Sequence, residues 1–214
     1  MIDFLQNNLL WFDGKFIGIL LLVAISLSFY WYRYLLILFI PALIFCLYFF
    51  RNPKRVCVEK LQDNSVLISP ADGKVVDISE GNFEGYARKI SIFLSPLDVH
   101  VNWSPEEGTV QKVCYRPGKF IVAYAPKSSD INERNDIFIK CKNGKTILVR
   151  QIAGIVARRI CCWVGPEEEL FAGQKIGMIR FGSRVDVFLP ENVKIEIEVG
   201  QRVKGGQTVL ARWV

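Results

Sequence analysis

From Phe16 to Phe50 the chain is almost wholly apolar, and Arg33 is its only charge. As a single helix at ~1.5 Å per residue this run would reach about 52 Å, far beyond a ~30 Å hydrocarbon core. Divided near Ser28–Tyr34 it gives two pieces of about 17 residues, each just long enough to cross. The break carries Tyr30, Trp31, Tyr32 and Tyr34, the composition of an aromatic interface belt. Lys15 lies before the run, and Arg51, Lys54, Arg55 and Lys60 follow it. Positive charge on both flanks keeps both ends cytosolic, which favours a hairpin over a single span. Arg33 at the far tip runs against that rule, although its long side chain can snorkel to headgroups. Pro41, inside the second piece, is a candidate kink. A cleaved signal peptide fits poorly, because the run is too long and no small-x-small site follows it. The expected organisation is an interfacial segment over 1–15, a transmembrane helical hairpin over 16–50 and a cytoplasmic domain over 51–214.

After Asn52-Pro53 the texture changes to short β-type runs separated by Gly, Pro, Asn and Asp turns. Strands are expected at Val66–Ser69, Gly73–Ile78, Lys89–Leu94, Gly108–Tyr115, Ile137–Lys142, Thr146–Ala153, Lys175–Arg180, Val185–Leu189, Val193–Val199 and Thr208–Trp213. Ala153–Cys162 is the best candidate for a short helix or mixed segment. The fold class is therefore mainly β, a barrel-sandwich-like domain with few short helices. An echo between Ser69-Pro-Ala-Asp-Gly-Lys-Val75 and Ser104-Pro-Glu-Glu-Gly-Thr-Val110 suggests related hairpins, as does the turn-rich Glu198–Val209; acidic-Gly hairpin turns are also simply common. The net charge of +6 fits an anionic membrane surface. No Lys/Arg run interleaved with aromatics argues for nucleic acid. Six cysteines without C-x-x-C spacing, beside one histidine, argue against a zinc site and for reduced, mostly buried thiols.

Near the C-terminus, Gly182-Ser183 lies between two strand-like runs. Such a pair is ordinarily a tight turn. It can also be a self-cleavage site, because a glycine carbonyl is open to attack by the following serine hydroxyl. Such a weak nucleophile needs a base. The single histidine, His100, follows a strand and a Ser-Pro turn. Lone histidines are more often structural, but loop-like strand ends are where sites are built. Asp72, in Ser-Pro-Ala-Asp-Gly, is the candidate carboxylate to orient it. Asp98 is the rival, and as a turn residue reads as structural. Asn132-Glu133-Arg134-Asn135 is either a solvated turn or a substrate-binding cluster, with Asn132, Arg134 and Asn135 as the binding candidates and arginine as a fork for carboxylate or phosphate.

These motifs together resemble the short-form phosphatidylserine decarboxylase proenzymes. The resemblance rests on Tyr-Phe-Phe-Arg-Asn-Pro (48–53), Ser-Pro-Ala-Asp-Gly (69–73), Ser-Pro-Leu-Asp-Val-His-Val-Asn (95–102), Asn-Glu-Arg-Asn (132–135), Gln-Ile-Ala-Gly-Ile-Val-Ala-Arg-Arg-Ile (151–160) and Lys175–Pro190 around Gly182-Ser183. It covers the chain from Phe49 to the end, in family order. It implies cleavage between Gly182 and Ser183 into a β fragment of 1–182 and an α fragment of 183–214, with Ser183 becoming a covalent pyruvoyl group. It further implies a Schiff base with a serine phospholipid, loss of carbon dioxide, reprotonation by His100 and release of the ethanolamine lipid. Asp72 matches the family's triad aspartate. Larger members carry two histidines three residues apart, the second assigned to cleavage; here His100 holds the first position and Trp103 the second. The usual Gly-Ser-Thr or Gly-Ser-Ser is Gly-Ser-Arg. The implied location is the cell inner membrane, and the implied partners are the phospholipid, the anionic membrane surface and the two fragments themselves. A homo-oligomer stays open.

Two other readings remain. One is a decarboxylase of an ether-linked serine lipid such as archaetidylserine, whose headgroup is the same. The other is a non-enzymatic membrane adaptor with a lipoyl-like domain, in which Lys74 would be the modified residue. That adaptor would have no use for Gly182-Ser183 or His100.

Overall fold

The computed structural model describes residues 11–118, 131–154, 160–180 and 183–214. The chain divides into two compact units, residues 1–54 and 55–214.

In the first unit, helix α1 (Trp11–Trp31) is followed by a 3₁₀ turn (Arg33–Leu35) and helix α2 (Leu36–Phe49). The two helices pack on each other. Leucines, isoleucines and phenylalanines stay exposed along both, as suits helices solvated by lipid rather than water. The window Gly14–Trp31 is long and apolar enough to cross a membrane, and Arg33–Phe49 is a shorter apolar helix. Hydroxyls inside α1 are satisfied by the helix itself: Ser26 Oγ donates to Leu22 O and Ser28 Oγ to Ala24 O. The chain turns over at Tyr32–Leu35, where the aromatics cluster and Arg33 lies 5.3 Å from the centre of the Phe29 ring. Pro41 is accommodated within α2. α1 begins at Trp11, inside the stretch expected to be a separate interfacial segment; residues 1–10 lie outside the described residues.

The second unit is mainly β, as expected. After the short helix α3 (Val58–Gln62), three sheets form. The largest is a curled, eight-stranded half-barrel. Its strands, in spatial order, are β13 (Arg202–Val203), β2 (Gly73–Phe83), β3 (Tyr86–Leu94), β11 (Ser183–Leu189), β7 (Thr146–Ala153), β6 (Arg134–Cys141), β5 (Gly108–Arg116) and β9 (Glu169–Leu170). A second sheet joins β1 (Val66–Ile68), β14 (Val209–Trp213) and β12 (Val193–Ile195). A third joins β4 (Val101–Trp103), β10 (Lys175–Ile179) and β8 (Ile160–Cys162).

Alternation along the strands builds the core. Val185, Val187 and Leu189 of β11 pack with Ile90, Ile92 and Leu94 of β3 and with Val149 of β7 on one face of the half-barrel. The other face of the same strands is buried but charged. There Arg184 forks onto Asp186 and donates to Ser91 Oγ (2.7 Å), and Arg150 forks onto Asp136 (2.6 and 3.0 Å). Gly73 opens β2 at φ 147°, with its Cα so close to β3 that a Cβ would lie 2.2 Å from Phe93 O. The Asp-Gly step is therefore required by close packing, not only by a turn.

Several strand limits differ from the sequence expectation. β4, β8, β9 and β13 are too short to show a period of two. β12 ends at Ile195, well before Val199, because the chain turns at Val199–Gly200. Of the candidate helix Ala153–Cys162, residues 160–162 are strand β8 and residues 155–159 lie outside the described residues. The six cysteines are free thiols, three buried and three half-buried.

Candidate active site

β11 starts at Ser183, a central position that pairs with Leu94 at the end of β3 and with Ala153 at the end of β7. Ser183 is completely buried, and among the described residues its Oγ has no hydrogen-bond partner. Buried hydroxyls are nearly always bonded, so an orphan calls for a chemical reason. Gly182, the other half of the expected cleavage site, lies outside the described residues.

The chain leaving β3 forms a tight Ser95–Asp98 turn. Asp98 closes it by accepting from Ser95 N–H (2.8 Å) and Ser95 Oγ (2.7 Å), and Arg202 also binds its carboxylate. Asp98 is thus a structural turn residue. The turn delivers His100, fully buried, with Nδ1 2.9 Å from Asp98 O. A carbonyl only accepts, so Nδ1 carries the proton and Nε2 is the basic nitrogen.

Register locates His100 relative to Ser183. β4 runs antiparallel to β10 with Asn102 opposite Gly177, and Ile179 N–H donates to His100 O (3.2 Å). Residues 100 and 102 share one side of this segment. Asn102 uses that side to reach the half-barrel, where its Oδ1 accepts from Gln151 Nε2 (2.8 Å). Gln151 is on the same face of β7 as Ala153, the partner of Ser183. His100, two residues before Asn102, is thus held to the end of β10 that leads on to Ser183.

Asp72 is elsewhere. Its carboxylate is held in a fork by Arg55, with Nη2 to Oδ2 at 2.9 Å, and by Gly205 N–H (2.9 Å), and not by His100. Arg55 in turn lies 4.9 Å from the centre of the Trp103 ring, which packs against Gly205 and Gly206. Trp103 thus faces the Arg55–Asp72 pair. A cavity of about 400 Å³ lined by Arg55, Cys57, Ile68 and Gly206 opens at this Trp103 end, not at Ser183.

The Asn132–Asn135 cluster is divided. Asn132 Nδ2 donates to Ala153 O (2.7 Å) and so pins the strand end beside Ser183. Asn135 Nδ2 donates to Gln151 Oε1 (3.0 Å) on the core face. Arg134, on the opposite face, shares a rung with Ile152 and Arg184. Burial, and the neighbouring Arg150, lower its pKa from the ordinary arginine value. Gln151 and Asn102 were not picked out by sequence; the only signal was polar side chains inside strand-like runs. Among the described residues, no three His, Cys, Asp or Glu side chains group as a metal site.

A family model described as phosphatidylserine decarboxylase matches residues 42–211. A phosphatidylserine decarboxylase proenzyme from Desulfotalea psychrophila (strain LSv54 / DSM 12343) is 43% identical over 179 residues, covering 82% of this chain and 82% of the relative. One from Syntrophus aciditrophicus (strain SB) is 45% identical over 175 residues, covering 80% of this chain and 81% of the relative.

Proposed function

This chain belongs to the phosphatidylserine decarboxylase family, and from that membership we propose that it cuts itself between Gly182 and Ser183 and uses the product to decarboxylate phosphatidylserine to phosphatidylethanolamine. The observation that carries the reading is Ser183 Oγ, buried and without a partner among the described residues, at the start of a central strand. A pyruvoyl group fits there, since converting the serine to a ketone breaks no hydrogen bond of Oγ.

His100 Nε2 takes the Oγ proton while Oγ attacks the Gly182 carbonyl carbon. The C–N bond breaks, the nitrogen takes a proton, and an ester links the two residues. Loss of the Ser183 Cα proton expels the Gly182 carboxylate. The resulting enamine becomes an imine, and water hydrolyses it to the ketone and ammonia. The pyruvoyl group supplies an electrophilic carbonyl and an electron sink for the loss of carbon dioxide. His100 then returns a proton to the substrate α-carbon. Asn132 and Asn135 hold the strand ends around the centre, and Arg134 offers a guanidinium for an anionic headgroup. Asp72 contributes by fixing Arg55 and the Gly205 turn.

The fragment 183–214 stays in place because β11 is hydrogen-bonded on both sides and β14 lies between β1 and β12. A diacyl substrate leaves a bilayer at about 0.8 kcal/mol per exposed CH₂, so the reaction belongs at the membrane surface. Residues 16–50 form the anchoring hairpin in the inner membrane, with the catalytic domain on the cytoplasmic side.

The test is the intact mass of the full-length, detergent-solubilised protein. The expected result is two fragments, the smaller blocked at its N-terminus and reactive with hydroxylamine, with carbon dioxide released from phosphatidylserine in mixed micelles. Ser183→Ala stays full length and inactive. A wild-type chain that remains intact on long incubation makes Ser183 an ordinary strand residue and sinks the reading.

A further inference from the structure

Asn102 Nδ2 shares the condition of Ser183 Oγ: it is buried and has no hydrogen-bond partner among the described residues. Its orientation is set by a chain of amides. Asn135 Nδ2 donates to Gln151 Oε1 (3.0 Å), and Gln151 Nε2 donates to Asn102 Oδ1 (2.8 Å). Each amide uses its oxygen to accept from the one before, so the NH₂ of Asn102 is the free end. All three residues are at most 2% exposed, and water does not compete for that donor. The backbone makes room for the arrangement: a Cβ on Gly177 would lie 2.8 Å from Gln151 Nε2 and 2.4 Å from Cys161 O. The fold uses the Asn102 oxygen, since an apolar side chain at 102 would strand Gln151 Nε2, but it gives the Asn102 NH₂ no task.

Resting on the self-cleavage reading of Ser183, we propose that Asn102 is a catalytic residue of that cleavage, its Nδ2–H holding the oxyanion that forms when Ser183 Oγ adds to the carbonyl bonded to the Ser183 nitrogen. In this step the Oγ–C bond forms and the carbonyl electron pair moves onto oxygen. Collapse restores the carbonyl and breaks the C–N bond, and the nitrogen takes the proton that left Oγ. The register places the participants together. His100 and Asn102 are alternate residues of one segment: Asn102 reaches Gln151, two residues from the Ala153 partner of Ser183 on the same face of β7, and His100 O is held by Ile179, four residues before Ser183. Base and oxyanion donor thus reach the serine from one strand. A donor that is idle before the reaction suits this role, because an oxyanion hole is aimed at the charge as it develops and not at the resting carbonyl.

The experiment follows cleavage of the newly synthesised full chain in detergent by gel and intact mass. The variants are Asn102→Leu and Asn102→Asp, with wild type and Ser183→Ala alongside. Asn102→Leu is expected to cleave about 10²–10³ times more slowly, the cost of one oxyanion donor. Asn102→Asp keeps an oxygen for Gln151 Nε2 but offers a donor only when its carboxyl is protonated. Its rate relative to wild type should therefore rise as pH falls. A structural asparagine would give the same trend through the cost of a buried carboxylate, so both variants are also melted across the same pH range in the uncleaved Ser183→Ala background, and the proposal requires cleavage to fall where Tm does not. Asn102→Leu cleaving within about threefold of wild type, an Asp-to-wild-type ratio flat with pH, or a cleavage loss that follows Tm in the Ser183→Ala background overturns the proposal while leaving self-cleavage standing. An intact wild-type chain removes both.

Discussion

The Arg55–Asp72 pair makes a quantitative prediction. Its side chains are only 10% and 11% exposed, so water screens the pair little. In Asp72→Asn the new amide keeps an oxygen for Gly205 N–H but loses its charge. Arg55 is then left with Gly205 O at 2.8 Å and the Trp103 ring at 4.9 Å. Stranding one member of a buried pair costs about 3–5 kcal/mol. For a domain of this size each kcal/mol lowers Tm by about 2–4 °C, which gives a fall of about 6–20 °C. Replacing both partners, in Asp72→Asn/Arg55→Met, removes the stranded charge and should restore most of the loss, since apolar replacement of a buried pair is often neutral. The assay is tryptophan fluorescence on heating the full chain in detergent at one fixed scan rate, with the cleaved fraction measured in parallel. If Asp72 acts through Arg55, cleavage recovers with stability in the double variant. A double variant that is stable but uncleaved would refute this and return Asp72 to direct partnership with the base. A single variant melting within about 2 °C of wild type would refute the energetic argument itself.

Two further outcomes follow from buried groups. Arg184→Met removes the fork onto Asp186 and the bond to Ser91 Oγ directly beside the cleavage position; urea unfolding of the Ser183→Ala background should show a loss of about 3–5 kcal/mol, whereas a loss near zero would mean the pair is replaceable. Burial pushes the Cys141 thiol up to about 12. Its folded pKa lies above the unfolded one, so its contribution to stability is complete below the ordinary thiol value and is lost as pH rises from about 9 towards 12. Cys141 should resist iodoacetamide at pH 8 in the folded chain and react only on unfolding; rapid labelling of native protein would contradict the burial.

Much of the architecture was legible because it is local. The break between α1 and α2 coincides with the Tyr30–Tyr34 aromatics, and β7 occupies the run Thr146–Ala153 read from alternation. β6 shows the cost of a boundary error. It was expected from Ile137 and begins at Arg134. With the strand started three residues earlier, alternation alone separates Arg134 from Asn135, and the apparent binding cluster divides between the two faces. The Arg55–Asp72 fork and the Asn135–Gln151–Asn102 chain had no comparable signal, because each joins segments far apart in sequence.

The sequence by itself determined the apolar run over 16–50, the β-rich character of the second unit and the Gly182-Ser183 step with its single histidine. These depend on composition, short-range period and the chemistry of individual side chains. Only the tertiary structure decided which polar groups meet. Asn102 reaches Gln151 on the β7 face that pairs with Ser183, while Asp72 lies at the Trp103 end of β4 with Arg55. That division follows from strand register. A shift of one residue would turn every side chain to the opposite face, and long-range pairing, not any local preference, holds the register in place.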